Sequence, residues 1–234
     1  MIISEYKDEF KKVDDVALVK IRCAYKAYKN YKKVAQFYSG LDANGKVYAI
    51  IAKVGGYITL YETGQNTQEL KDFLEFIKCS GIFTSYETAK RLNLKIDEKC
   101  LSFKISPPYQ KSLESSENGT QRKLMECLNS GLCIEDTDGF IADVTFRTLH
   151  SCADYVIKDG GGALVFYSQN EGLLNGIATP KNVRRNGLGS CLLKMLLSKV
   201  GEKEVYACCS EHNKEFYIKN GFTLIGESAY CEEK

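Results

Sequence analysis

Arg184-Arg185-Asn186-Gly187-Leu188-Gly189 stands between an apolar run, Leu173-Leu174-Asn175-Gly176-Ile177-Ala178-Thr179, and a stretch where Leu188, Cys191, Leu192, Met195 and Leu196 recur at helical spacing. The first run reads as a strand and the second as an amphipathic helix. A glycine-bearing turn that opens a helix gathers unpaired backbone N–H groups at the positive end of the helix dipole, which suits a diphosphate. A side chain at Gly187 or Gly189 would hold a phosphate away from that backbone. A P-loop does not fit, because four residues between glycines followed by Lys and Ser or Thr are missing. Nor does a dinucleotide fingerprint, which needs a third glycine and an acidic residue about twenty positions on.

Downstream, Glu204–Cys209 reads as a further strand, and Asn213-Lys214-Glu215-Phe216-Tyr217-Ile218-Lys219-Asn220-Gly221-Phe222 as a helix with the turn beyond it. Arg-x-x-Gly-x-Gly after a strand ending in Ala-Thr, followed by Asn…Phe-Tyr-x-x-x-Gly-Phe, resembles the GNAT superfamily, the Gcn5-related N-acetyltransferases. The resemblance covers most of the last third of the chain. It implies a mixed α/β sheet and acetyl-CoA (coenzyme A) as cofactor, with no metal. The pyrophosphate would lie on the backbone amides of Arg184, Arg185, Asn186, Gly187, Leu188 and Gly189, with Ser190 just inside the helix. The pantetheine arm would pair with Ile177, Ala178 and Thr179, and Asn213 would touch the coenzyme. Tyr217 would be the catalytic proton donor. From the residues alone, Asn213 is equally a helix cap and Tyr217 an aromatic packing residue beside Phe216 and Phe222.

Acetyl transfer to an amine is thioester aminolysis, helped by positioning, oxyanion donors and a proton for the departing sulfur. A phenol of ordinary pKa about 10 can protonate a thiolate of about 8.5. The implied activity is an acetyl-CoA-dependent N-acyltransferase acting on a primary amine of a small molecule or peptide by direct attack in a ternary complex. A catalytically weak acyl-CoA sensor is the alternative, because Leu173 to Thr179 carries no carboxylate to act as base. Glu211 and Asp143 are base candidates by elimination, as is ordered water. Phe140 to His150 reads as a helix with Phe140, Val144 and Leu149 inward and Asp143, Arg147 and His150 near one face. An Asp…Arg…His run there resembles a clostridial-type branch of the family, while a salt bridge with a capping histidine explains it as well. His212 is expected to face solvent.

The chain has 234 residues, 44% hydrophobic and 26% charged, enough for a substantial core. Its 32 basic and 30 acidic residues leave a formal charge of +2, which argues against nucleic acid or a membrane surface as partner. A basic cluster, Lys26, Lys29, Lys32 and Lys33 among Tyr25, Tyr28 and Tyr31, reads as a solvated helix face. Ten cysteines without Cys-x-x-Cys, and only two histidines, fit neither a zinc site nor a disulfide framework. Free thiols, the lack of an apolar leader and the lack of a membrane-length run predict a cytoplasmic protein, monomer or homodimer. The sequon Asn118-Gly119-Thr120 would then go unused.

Strands are predicted at Ala153–Lys158, Ala163–Ser168 and Leu173–Thr179, then a helix near 186–199, a strand at 204–209, a helix at 212–220 and a strand at 222–227. The same order occurs earlier: strands Val34–Ser39, Val47–Lys53 and Tyr57–Glu62, a helix opened by Asn66 with Glu69 as a capping box, a strand Gly81–Ser85 and a short helix Tyr86–Leu92. Two GNAT-like halves in tandem follow, with a degenerate first domain (1–105), a linker (106–120) rich in polar residues and paired prolines, and a transferase domain (121–234). Gly64 to Glu69 replaces the phosphate loop and lacks its pattern, so the first half is expected not to bind coenzyme A.

Overall fold

The computed structural model describes residues 2–11, 13–65 and 67–232. In chain order the elements are β1 (Ile2–Glu5), α1 (Val16–Tyr28), β2 (Ala35–Leu41), β3 (Val47–Val54), β4 (Tyr57–Glu62), α2 (Thr67–Ile77), β5 (Gly81–Ser85), α3 (Tyr86–Arg91) and β6 (Lys95–Ile105). There follow α4 (Gln121–Asn129), α5 (Thr137–Leu149), β7 (Ala153–Lys158), β8 (Gly161–Tyr167), β9 (Glu171–Ala178), α6 (Leu188–Val200), β10 (Glu204–Cys209), α7 (Lys214–Lys219) and β11 (Thr223–Glu232). The β2–β3–β4–α2–β5–α3 and β7–β8–β9–α6–β10–α7–β11 runs follow the order expected from sequence, whereas β1, β6 and α4 lie outside that expectation. The proposed capping residue Asn66 lies outside the described residues.

Two compact units result: Met1–Lys104 with Cys208–Lys234, and Ile105–Ala207. In the first, strands run in the order β1-β2-β3-β4-β5-β11-β6. β3 is apolar but for Lys53 near its end, and both its faces are covered. Leu18 and Ile21 of α1 pack with Val47, Ile50 and Ala52 on one side. Leu70 and Leu74 of α2, with Ala89 of α3, pack with Tyr48, Ala49 and Ile51 on the other. Each such Leu or Ile contributes about 1.5–3 kcal/mol on burial. Asp15 starts α1 by accepting from Leu18 N–H at 3.0 Å.

The boundary drawn from sequence needs correcting here. It groups 121–234, yet β11 lies antiparallel between β5 and β6, with Ser228 opposite both Ser85 and Cys100. Backbone N–H and C=O groups demand partners, and the open edges of β5 and β6 are satisfied by the chain's last strand. The segment 106–120 is also no free linker. Glu117 N–H donates to Ile157 O at 2.8 Å, Ser112 N–H to Ser198 Oγ at 2.8 Å, and Glu114 pairs with Lys158 at 2.7 Å, all within the second unit.

In the second unit β9 lies between β10, parallel to it, and β8, with β7 outermost. Every residue of β8 is buried, since α4 and α6 cover it from opposite sides. Two adjacent glycines permit this close approach. A Cβ on Gly161 would sit 2.9 Å from Leu192 Cδ1 of α6, and one on Gly162 3.0 Å from Leu124 Cδ1 of α4. Asp159 and Gly160, both at positive φ, make the two-residue turn that joins β7 to β8.

Candidate functional site

β9 is not a regular strand. Its ladder with β8 runs through Gly162–Ala178, Ala163–Ile177 and Leu164–Gly176, then jumps to Val165–Leu174, leaving Asn175 as an extra residue. On the other edge, the parallel ladder with β10 runs from Glu171–Glu204 to Leu174–Ala207 and ends there. A bulge bends its strand and sharpens the local twist, so β9 leaves β10 at the point where Asn175 is inserted. Among the described residues, no strand pairs with the edge of Ile177 and Ala178 turned away from β8. An extended, amide-bearing chain fits that edge.

The strand then enters the phosphate-loop candidate through half-buried Thr179 and a single 3₁₀ turn, Lys181–Val183. Arg185 at φ +68° and Gly187 at φ +85° are both left-handed. Backbone of this kind turns N–H groups inward into an anion-binding concavity. Gly187 is the residue before α6, and no side chain caps that helix. Cys191 N–H reaches Gly187 O at 3.0 Å, so the amides of Leu188, Gly189 and Ser190 belong to the open end. Arg184, Arg185, Asn186 and Gly187 are exposed, and Arg184 Nε–H ties the loop back to Thr179 O at 3.3 Å. A Cβ at Gly187 would meet nothing within 4 Å. Glycine is therefore required here by its φ, in addition to leaving room for a ligand.

Tyr217 and Asn213 belong to the first unit. Tyr217 stacks on Phe103 at 5.3 Å and meets Phe216 and Phe222 edge-on. The packing reading of this residue is thus realised, whatever else it does. Burial, then the thiols of Cys209 and Cys208, push its pKa up, so the phenol keeps its proton throughout the neutral range. Asn213 precedes α7, is exposed and makes no side-chain cap hydrogen bond.

Both carboxylates that sequence offered as bases are held by cations on their own helix or turn. Glu211 pairs with Lys214 at 3.3 Å and Asp143 with Arg147 at 2.7 Å. The guanidinium of Arg147, 5% exposed, also lies 4.2 Å from the Phe166 ring centre. His150 ends α5: its Nδ1 lies 2.8 Å from Phe146 O, so Nδ1 carries the proton, and the ring stacks on Phe146. The Asp143–Arg147 bridge and capping histidine account for that run locally. Leu149, expected inward, is 77% exposed, because the helix has turned it to the surface by its last residue; Val144 alone of the three predicted core residues is fully buried. His212, exposed as expected, bonds Ser210 Oγ at 2.9 Å.

The corresponding stretch of the first unit is closed. β4 pairs with β3 without a bulge. Glu62, its last residue, is buried, and its carboxylate accepts from Gly64 N–H, from Thr88 Oγ at 2.8 Å and from Arg91. Thr84 Oγ reaches Leu60 O at 2.8 Å across β4 and β5. Sequence reading singled out Glu69 here and passed over Glu62. An acidic residue closing a strand just before a glycine turn was the available signal.

No protein-family model and no curated protein matches the sequence. Solved structures match by fold. A GNAT-family acetyltransferase from Colwellia psychrerythraea is similar over 100% of both chains, with 11% identity and a TM-score of 0.55. A GCN5-related N-acetyltransferase from Sphaerobacter thermophilus is similar over 93% of this chain and 91% of its own, with 10% identity and a TM-score of 0.57. A tandem GNAT protein from the clavulanic acid biosynthesis pathway is similar over 89% of this chain and 86% of its own, at 9% identity and a TM-score of 0.55. At these identities the likeness shows the fold, a mixed α/β architecture of the GNAT type.

Proposed function

We propose that the protein is an N-acetyltransferase that carries acetyl from acetyl-CoA to a primary amine of a small molecule or peptide. The observation that carries this reading is the continuity of bulged strand and uncapped helix. The unpaired edge of Ile177, Ala178 and Thr179 receives the pantetheine amides. The left-handed turn from Arg184 to Gly187, with the first amides of α6 through Ser190, receives the pyrophosphate. An extended arm ending in a diphosphate matches both parts in order; a lone phosphate would need only the second. When bound, the coenzyme supplies the activated acetyl thioester.

In this reading Asn213 contacts the coenzyme and Tyr217 serves the departing sulfur. A raised phenol pKa makes complete proton transfer to a thiolate uphill, so Tyr217 acts by donating a hydrogen bond as charge builds on sulfur. With Glu211 and Asp143 committed to Lys214 and Arg147, the amine's proton leaves through water. The first half, closed by Glu62, binds no coenzyme and is a degenerate copy. The protein works in the cytoplasm: no two of its cysteines are joined in a disulfide, and no described helix is long and apolar enough to cross a membrane.

Calorimetric titration with acetyl-CoA, then thiol release against a panel of amines, tests the reading. Saturable binding of one coenzyme per chain with amine-dependent release supports it. Absence of binding removes it. A second reading, an acyl-CoA sensor, is favoured by the lack of a carboxylate on β9 (Glu171 apart, at its far end); binding without release on any amine selects it.

A further inference from the structure

β7, the outermost strand of the second unit, has an edge that is half covered. Residues 116–117 take both backbone groups of Ile157. Its N–H donates to Ser116 Oγ at 3.0 Å, and its C=O accepts from Glu117 N–H at 2.8 Å. Further ties hold the same strap: Asp159 N–H donates to the Glu117 carboxylate at 2.7 Å, the Tyr155 hydroxyl to Gly119 O at 2.8 Å, and Lys158 to Glu114 at 2.7 Å. Strand alternation turns the backbone groups of Ala153 and Tyr155 the same way as those of Ile157, while Asp154, Val156 and Lys158 turn theirs to β8. Among the described residues, nothing takes the outward groups of Ala153 and Tyr155.

We propose that the strap of residues 114–119 guards a self-complementary edge, and that β7, once uncovered, pairs antiparallel with β7 of a second copy of this chain. An open edge of unpaired N–H and C=O groups is a template for another strand. The occupant is argued from charge. Asp154 and Lys158 lie four residues apart on one face of β7, with Val156 midway between them. A two-fold axis through Val156 sets Asp154 of each copy opposite Lys158 of the other, so one contact forms two ion pairs. The same axis brings Tyr155 opposite Ile157, so their outward N–H and C=O groups bond reciprocally, twice over.

The strap blocks this register at both of its elements. Ser116 and Glu117 occupy the Ile157 groups that the second copy needs, and Glu114 holds the Lys158 ammonium that would meet Asp154. With the strap in place only Ala153 and Tyr155 can reach another strand. The antiparallel register that uses both sets Asp154 opposite Asp154 of the other copy, and like charges directly opposite repel. Within its own chain Asp154 keeps weaker company, the Tyr167 hydroxyl at 3.2 Å and Lys199 at 3.8 Å, and neither is on the strap. Release of residues 114–119 therefore frees Lys158 and Ile157 together and leaves Asp154 where it stands.

Sedimentation velocity of the full chain, from about 1 to 100 μM, tests this. The wild-type chain is expected to stay monomeric. Ser116→Ala with Glu117→Pro, which removes the hydroxyl and the N–H that cover Ile157, is expected to double the sedimenting mass. Gly119→Val is an independent release, because a Cβ there would stand 2.7 Å from Ile157 Cδ1; it carries the test should the first variant fail to fold. In either background Lys158→Asp, which sets like charges opposite each other, should weaken the dimer at least about tenfold, and adding Asp154→Lys should restore it. The proposal is overturned if released chains stay monomeric or grow beyond dimers, or if the charge exchange leaves association unmoved. It is overturned equally if the wild-type chain already forms a dimer that Lys158→Asp dissociates. Acetyl-CoA enters none of these measurements, so they stand or fall apart from the transferase reading.

Discussion

The β4–α2 and β9–α6 stretches are both strand-loop-helix passages, and they treat their backbone amides in opposite ways. After β4, a carboxylate from the chain itself takes the Gly64 amide: Glu62 is buried and satisfied by Gly64, Thr88 and Arg91. After β9 no internal anion is supplied, the strand is kinked at Asn175, and the helix end is uncapped. Donors without an internal acceptor are a standing cost unless water or a ligand takes them. The lesson is that the same local order of elements does not carry the same site. One bulge and one capping carboxylate separate the two passages.

The comparison breaks most readily at Gly187. Gly187→Glu places a β-carbon at φ +85° and a negative charge where the diphosphate would lie; acetyl-CoA affinity should fall by more than about 100-fold, and unchanged calorimetric affinity would refute the loop assignment. Tyr217→Phe should lower turnover by about 100-fold with coenzyme affinity nearly intact; full turnover would mean that sulfur departs without help. Glu62→Ala should do the reverse, costing about 2 kcal/mol in denaturant unfolding, because it strands the Gly64 amide and half-exposed Arg91, while coenzyme affinity stays put. If affinity follows Glu62 instead, the first passage is the binding one. The smallest effect is expected from Arg185→Gly. Relief of a left-handed side chain should add about 0.5–1 kcal/mol of stability, and loss of its charge should weaken acetyl-CoA only a few-fold.

Much of this was legible in the residues. The β7–β8–β9 meander could be read from Asp159-Gly160 and the alternating apolar runs, and the helix start at Leu188 from Gly187, because such signals are local: a turn needs particular φ values and a helix a particular period. The bulge at Asn175 was not legible, since it is defined only against the register of β8. Neither was the role of Glu62, whose partners Thr88 and Arg91 lie 26 and 29 residues on.

The membership of the last strand shows the division most plainly. By itself, the sequence marked the β2–β3–β4 and β7–β8–β9 runs, the helices after them and the glycine turn at Arg184 to Ser190, since each depends on neighbours within a turn or two; it did not mark β1, β6 or α4. Only the tertiary structure decided that Thr223–Glu232 enters between β5 and β6, and that residues 106–120 are laced into the second unit. Strand pairing and side-chain clustering join residues a hundred or more positions apart. An open sheet edge accepts whichever strand can pair its amides and bury its apolar face, and no short-range pattern names that strand in advance.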